Sequence, residues 1–114
     1  MKYHAAILAG GLGSRMGEGM PKQFLEIDGK PIILRTLEVF VSSGLFDRIV
    51  LSIHPAWEQA LRELLIGHRP AGAVHLTHGG ETRQASSRNA LGALERWAAA
   101  DDAVLIHDAA RCLV

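Results

Sequence analysis

The feature that most limits how this chain can fold is an apolar run, Ala5-Ala6-Ile7-Leu8, that breaks into glycine at Gly10, Gly11 and Gly13. A run with no alternating polar positions suits a strand covered on both faces, the pattern of a parallel sheet between helices. Glycine after such a strand lets the backbone take positive φ and brings its N–H groups close to a ligand, because no Cβ blocks the approach. Successive N–H groups in a turn of this kind form a concave anion site. Arg15 adds a fixed fork of donors and Lys22 a mobile point charge. The stretch Leu8–Gln23 therefore reads as a triphosphate loop. The plainer alternative is a tight turn with solvated charges.

Two better-known glycine motifs do not fit. A P-loop requires Gly-x-x-x-x-Gly-Lys-Ser/Thr, whereas Gly29-Lys30 is followed by Pro31 and no earlier glycine has the right spacing. The dinucleotide fingerprint requires a third glycine opening directly into a helix. Here that position is Met16, Gly17 comes one residue late, and Pro21 opposes a helix running out of the loop. A nicotinamide enzyme remains only a runner-up.

Downstream, Phe24, Leu25 and Ile27 form an apolar connector that ends at the Asp28-Gly29 turn signal. Pro31 is expected to open a helix in its first turn. Ile33, Leu34, Leu37, Phe40 and Val41 form its core face, and Gly44 its stop. Arg48–Ile53 reads as a second buried strand. Pro55 opens a helix with Trp57, Leu61, Leu64 and Leu65 inward and Gly67 as its end, Trp57 being a packing residue. Ala73–Thr77 is the third strand, broken by Gly79-Gly80. A helix from about Thr82 carries Leu91, Leu94, Trp97 and Ala98 inward, and Ala103–Ile106 is the fourth strand. This alternation predicts an α/β fold, a Rossmann-like parallel sheet with helices on both faces.

Ligands in such sheets sit beyond the carboxyl ends of the strands, so the segment after each strand is the test. The first strand runs into the glycine-arginine-lysine loop. The third is succeeded by Gly79-Gly80-Glu81-Thr82-Arg83-Gln84-Ala85-Ser86, whose N–H groups can read a base edge or sugar, with Arg83 and Ser86 as added donors. Read alone, that segment is equally a turn with Thr82 as a cap. The fourth leads into His107-Asp108-Ala109-Ala110-Arg111. A strand-end aspartate beside a phosphate loop suits Mg²⁺, which takes one or two carboxylates plus phosphate oxygens. His107 reads as a packing or hydrogen-bonding residue, and the remaining histidines lack zinc spacing.

Whole-chain properties limit the partners. With 114 residues and 48% apolar composition, the chain has room for one small domain. Basic and acidic residues balance at 12 each, so no global field favours nucleic acid. Cys112 is the single cysteine, which excludes an intramolecular disulfide and is compatible with a reducing compartment. No run has the length of a signal peptide or membrane span, and the expectation is cytoplasmic, with no membrane partner.

Taken together, LAGGLGSRMG, PKQFLEIDGKPII, GGETRQASSRNAL and HDAAR resemble the cytidylyltransferases that act on sugar-alcohol phosphates. The two closest branches use methylerythritol 4-phosphate or ribitol 5-phosphate. The first motif is shared by many sugar nucleotidyltransferases, whereas the ordered set is specific. The resemblance implies a fold of the nucleotide-diphospho-sugar transferase type, CTP and a polyol phosphate as substrates, Mg²⁺, and a homodimeric full-length protein. It also implies roles. Ala9, Gly10, Gly11, Gly13 and Ser14 line the triphosphate, and Arg15 and Lys22 are catalytic. Gly80, Glu81, Arg83 and Ser86 hold cytosine and ribose. Asp108 binds the metal, Ala109 lies beside the nucleotide, and Arg111 lies near the acceptor phosphate.

Some positions depart from the family pattern. Leu8-Ala9-Gly10-Gly11 leans towards the ribitol branch, HDAAR towards methylerythritol, and Cys112 replaces a usual proline. On this resemblance, residues 1–114 are expected to be the nucleotide-binding part of a single cytidylyltransferase domain, truncated relative to the family. A non-catalytic nucleotide-binding fragment, or another sugar-phosphate nucleotidyltransferase, is therefore the alternative to a working enzyme.

Overall fold

The apolar run becomes the second strand in from one edge of the sheet. The computed structural model describes residues 1–9, 24, 26–66, 74–80 and 82–109. In chain order these form β1 (Tyr3–Ala9), β2 (Glu26–Ile27), β3 (Lys30–Pro31), α1 (Ile32–Ser43), β4 (Arg48–Ile53), a 3₁₀ turn (Pro55–Trp57), α2 (Glu58–Leu65), β5 (Val74–His78), α3 (Arg83–Leu94) and β6 (Ala103–Asp108). The main sheet has the order β5-β4-β1-β6, with every pairing parallel.

Alternation along the strands divides the core into two layers. Ala5, Ile7 and Ala9 of β1, with Ile49, Leu51 and Ile53 of β4, pack against Ile33, Leu34, Leu37 and Phe40 of α1 and Leu61 and Leu65 of α2. Ala6, Leu8 and Val50 point the other way, to Ala90 and Leu94 of α3. Both faces of the sheet are thus covered by helices, as the apolar run requires. Val41 and Trp57 join the first layer as partly buried residues, and Trp57 meets the Phe24 ring at 5.6 Å. Among the described residues, no helix is long and apolar enough to cross a membrane.

Several boundaries differ from expectation. Pro31 does not enter α1; it stands at the N-cap with φ −58° and ψ 143°. It is held there by pairing with Glu26 in a small antiparallel ribbon, β2–β3. Asp28 and Gly29 have φ of 54° and 80°, so the Asp-Gly turn closes a hairpin of the kind that needs positive φ at both central positions. Helix α1 grips this hairpin: Lys30 Nζ donates to the Glu38 carboxylate at 2.9 Å and Arg35 Nε to the Ile27 carbonyl at 3.0 Å. Gly44 does end α1, in the left-handed conformation with φ 69°.

Strand β5 runs one residue further than expected, to His78, because His78 still has a register partner in Ile53. Strand β6 likewise continues through Asp108, opposite Leu8. Pro55 opens a 3₁₀ turn rather than α2 itself, and Gly67 and Ala73 lie outside the described residues. Leu91 is exposed rather than inward. The inner face of α3 is set by Ser86, Ala90 and Leu94 at four-residue spacing, and Leu91 sits about 100° from Ala90 around the axis. Trp97 and Ala98 fall beyond the end of α3. Trp97 packs against the second core layer, with the Arg48 guanidinium 4.8 Å from its ring and His75 4.5 Å away.

At the amino end of the sheet, His4 and Asp102 form a buried pair, Nε2 to Oδ2 at 2.8 Å. Asp102 also accepts from the backbone N–H groups of Ala99 and Lys2, each at 2.9 Å. These contacts, Ala99 foremost and then His4 and Lys2, hold its carboxyl well below the usual carboxylate range. The pair ties the start of β1 to the turn before β6. Six residues at roughly 3.3 Å each separate it from the carboxyl end of the sheet.

Candidate functional site

Parallel register brings the carboxyl ends of the strands to one edge. Ala9, Ile53 and His78 form one row across β1, β4 and β5, and Asp108 pairs with Leu8 one residue earlier. Backbone bonds extend the order past the strands: Gly79 N donates to Ile53 O at 2.8 Å and Ala109 N to Leu8 O at 3.0 Å. With strands about 4.8 Å apart, the β6 end lies one strand from Ala9 and the β5 end two strands away, about 10 Å. That span matches a nucleotide with its phosphates near β1.

The segment after β5 is held from both layers. Thr82 caps α3, its Oγ1 accepting from Ala85 N at 3.0 Å. Ser86, buried in the first turns, accepts from Gly80 N at 3.0 Å. Asn89 donates its side-chain N–H to the His78 carbonyl at 2.9 Å. On the opposite face, the His78 ring meets Glu58 Oε1 at 2.8 Å, while Arg62 donates to Glu58 Oε2 from Nη2 at 2.8 Å. The hydrogen bond with His78, then that with Arg62, keeps the Glu58 carboxyl below its ordinary range. Gly80 has no room for a side chain, since a Cβ there would stand 2.3 Å from Ala85 Cβ. Its backbone thus lies against α3. Arg83 is exposed on the first turn of α3.

The β6 end is fixed as firmly. Ala109 is fully buried, and its carbonyl accepts from the buried Thr36 hydroxyl at 2.9 Å. The Ile32 carbonyl, 3.1 Å from the same hydroxyl, shares its single proton. The His107 ring packs on Phe40 at 5.0 Å, in keeping with a packing residue. Asp108 is half-buried and, by alternation from Val104, lies on the α3 face of the sheet. No group of three or more His, Cys, Asp or Glu side chains gathers among the described residues. A carboxylate at a strand end fits Mg²⁺ that draws its other ligands from phosphate and water.

Of the sequence-identified site residues, Ala9, Gly80, Arg83, Ser86, Asp108 and Ala109 are thus brought to one edge. Gly10, Gly11, Gly13, Ser14, Arg15, Lys22, Glu81 and Arg111 lie outside the described residues. The described flanks of the glycine loop are both anchored: Ala9 is buried in β1, and Phe24 is buried against Trp57. Two supporting residues escaped the sequence reading. Thr36 is a hydroxyl inside an apolar helical stripe, a signal that was available. Asn89 lies on an exposed helix face and left none.

A family model described as 2-C-methyl-D-erythritol 4-phosphate cytidylyltransferase (IspD) matches residues 3–114. The chain is 47% identical over 114 residues to a protein of that name from Geobacillus kaustophilus, covering 100% of this chain and 48% of the relative. It is 39% identical over 109 residues to a ribitol-5-phosphate cytidylyltransferase of Streptococcus agalactiae, covering 95% of this chain and 46% of the relative. A crystal structure of 4-diphosphocytidyl-2C-methyl-D-erythritol synthase superposes with a TM-score of 0.79 at 29% identity, over 100% of this chain and 49% of that one. The chain thus spans about half the length of the curated relatives it matches.

Proposed function

The chain belongs to the 2-C-methyl-D-erythritol 4-phosphate cytidylyltransferase family, and from that premise we propose that it forms the CTP-binding half of an enzyme that transfers CMP to a polyol phosphate. The observation that carries this reading is the shared edge, where the ends of β1, β5 and β6 bring Ala9, the Gly79–Gly80 loop and Asp108 together. The acceptor is methylerythritol 4-phosphate or ribitol 5-phosphate, the substrates in the names of the two kinds of relative.

In this reading an oxygen of the acceptor phosphate attacks the α-phosphorus of CTP in line. A new P–O–P bond forms, the bond between α-phosphorus and the bridging oxygen breaks, and pyrophosphate leaves. The nucleophile is already an anion, so catalysis falls to charge stabilisation and positioning. Backbone N–H groups from Ala9 to Ser14 (Gly10, Gly11 and Gly13 among them) cradle the triphosphate, and Arg15 and Lys22 neutralise charge on the transferring phosphoryl group. Gly80, Glu81, Arg83 and Ser86 hold the nucleoside. Ala109 borders the nucleotide and Arg111 meets the acceptor phosphate. Asp108 would hold Mg²⁺, which supplies charge neutralisation at the phosphate oxygens when bound. The same reading takes the full-length protein to be a cytoplasmic homodimer.

The test is thermal stabilisation by CTP with Mg²⁺, expected to reach about 2.7 kcal/mol at a hundredfold excess over Kd. Equal stabilisation by ATP and GTP would remove the cytosine-specific part. Pyrophosphate release with CTP and a panel of polyol phosphates, run on this chain and on a full-length relative, identifies the acceptor. It also separates a working enzyme from a nucleotide-binding fragment, the second reading.

A further inference from the structure

We propose that Asn89 is a positioning residue for the nucleoside, setting the place of the Gly79–Gly80 loop against which base and ribose rest. The inference builds on the CTP-binding reading above. Thr82, Ser86 and Asn89 succeed one another along α3 at spacings of four and three, which puts them on one stripe of the helix surface. Each is engaged at its tip: Thr82 on Ala85 N, Ser86 on Gly80 N, and Asn89 on His78 O. The core-facing stripe of the same helix holds Ala90 and Leu94. Ser86 thus sits where the buried face of α3 meets its loop-facing side, with Asn89 one turn further on, and these two side chains reach the loop.

The loop is consequently fixed at consecutive residues by different partners. The His78 carbonyl is held by Asn89, Gly79 N by the Ile53 carbonyl, and Gly80 N by Ser86. The close packing of Gly80 on Ala85 blocks movement towards the helix. Nothing in that packing resists movement away from it. Asn89 supplies that restraint together with the Gly80 N–Ser86 hydrogen bond, tethering the residue at which β5 gives way to the loop. Its position is exposed, so the core has no need of an amide there, and water can take over the His78 carbonyl at small cost to stability. The consequence of losing Asn89 is therefore displacement of the loop rather than unfolding. The affected ligand part is the nucleoside, because the β5 end lies two strands from Ala9, where the triphosphate loop begins.

The experiment titrates the 114-residue chain, with Mg²⁺ present, with CTP and separately with inorganic tripolyphosphate, for wild type, Asn89→Ala and Asn89→Asp. Amide hydrogen exchange at Gly79 and Gly80 is measured in parallel. Asn89→Asp removes the donor and sets a carboxylate against a carbonyl, so CTP affinity should fall about tenfold, and several-fold in Asn89→Ala. Tripolyphosphate affinity should stay within about twofold, and exchange at Gly79 and Gly80 should accelerate. Unchanged CTP affinity in both variants overturns the proposal. So does equal weakening of CTP and tripolyphosphate, which marks a general structural role. A wild-type chain that does not prefer CTP to tripolyphosphate defeats the nucleotide reading itself, and this role with it, before any variant is compared.

Discussion

Replacing Gly80 with alanine tests directly whether the loop after β5 is seated on α3. The Gly80 backbone is outside the left-handed region, so only space is at stake. The new Cβ would lie 2.3 Å from Ala85 Cβ, and 3.2 and 3.3 Å from the Ala85 carbonyl carbon and Cα. Ordinary contact begins at 3.4 Å, so the two residues must part by roughly 1 Å. No rotamer of alanine relieves this, and the first turn of α3 is held by the Thr82 cap and by Ser86. Overpacking of this kind costs about 1–3 kcal/mol, and stretching the Gly80–Ser86 hydrogen bond adds about 1 kcal/mol. Urea unfolding of wild type, Gly80→Ala, Ala85→Gly and the double variant should show this loss. Ala85→Gly alone should cost up to about 1 kcal/mol, the helix penalty of glycine. The double variant should recover about 1–2 kcal/mol relative to additivity, because the closest clash is gone while the backbone contacts stay tight. Strict additivity, or a Gly80→Ala chain as stable as wild type, would show that the loop does not rest on Ala85.

Three further outcomes are expected from the same arrangement. In a full-length context, Arg15→Ala or Lys22→Ala should lower turnover by roughly 10²- to 10³-fold with little change in Tm; near-normal turnover would return these cations to the solvated surface. Asp108→Asn should weaken CTP binding more with Mg²⁺ than without it, and equal weakening in paired titrations would contradict metal binding by this carboxylate. Asp102 titrates below its ordinary range, so its stabilisation is present above the unfolded pKa of about 3.9 and fades as pH falls through the lower folded value. The stability gap between wild type and Asp102→Asn should therefore close as pH falls below about pH 4, and a gap that widened on acidification through that range in pH-resolved urea midpoints would refute this.

The range of each interaction decided whether it was legible in the sequence. The buried strand Ala5–Leu8, the α1 stripe and the Gly44 stop are local patterns of burial and backbone conformation, and the structure reproduces them. The common site edge came from one topological rule applied to parallel strands. The β2–β3 hairpin was hidden because strands of two residues are too short to show a period, although Asp28-Gly29 carried its turn. Leu91 misled because α3 buries serine and alanine beside one leucine, leaving little apolar contrast to phase the helix. The contact of Asn89 runs from side chain to backbone and leaves no periodic mark, whereas Thr36 shows only as a hydroxyl interrupting the apolar stripe of α1. His4 and Asp102 are separated by 98 positions, and their pairing depends on β1 and β6 becoming neighbours.

The outer edge of β6 leads to the last prediction. Strand β6 pairs with β1, and among the described residues no strand pairs with its other side. Leu105 and Ile106 are 50% and 38% exposed, and alternation points them to opposite faces of the sheet. Tyr3, in register with Ala103, adds a further exposed ring. Protected edges usually carry a lysine, a proline or a bulge, whereas Ala103-Val104-Leu105-Ile106 offers none of these. Burying the exposed halves of Leu105 and Ile106 is worth about 1 kcal/mol each, added to the backbone hydrogen bonds of a new strand pair. A second copy of the chain pairing along β6 gains both terms, so sedimentation velocity should show association that grows with concentration. Leu105→Lys and Ile106→Lys should each reduce it with little loss of stability, because both side chains are already half in water. A chain that stays monomeric at the highest attainable concentration, or lysine variants that associate as strongly as wild type, would show that this edge is not the adhesive surface.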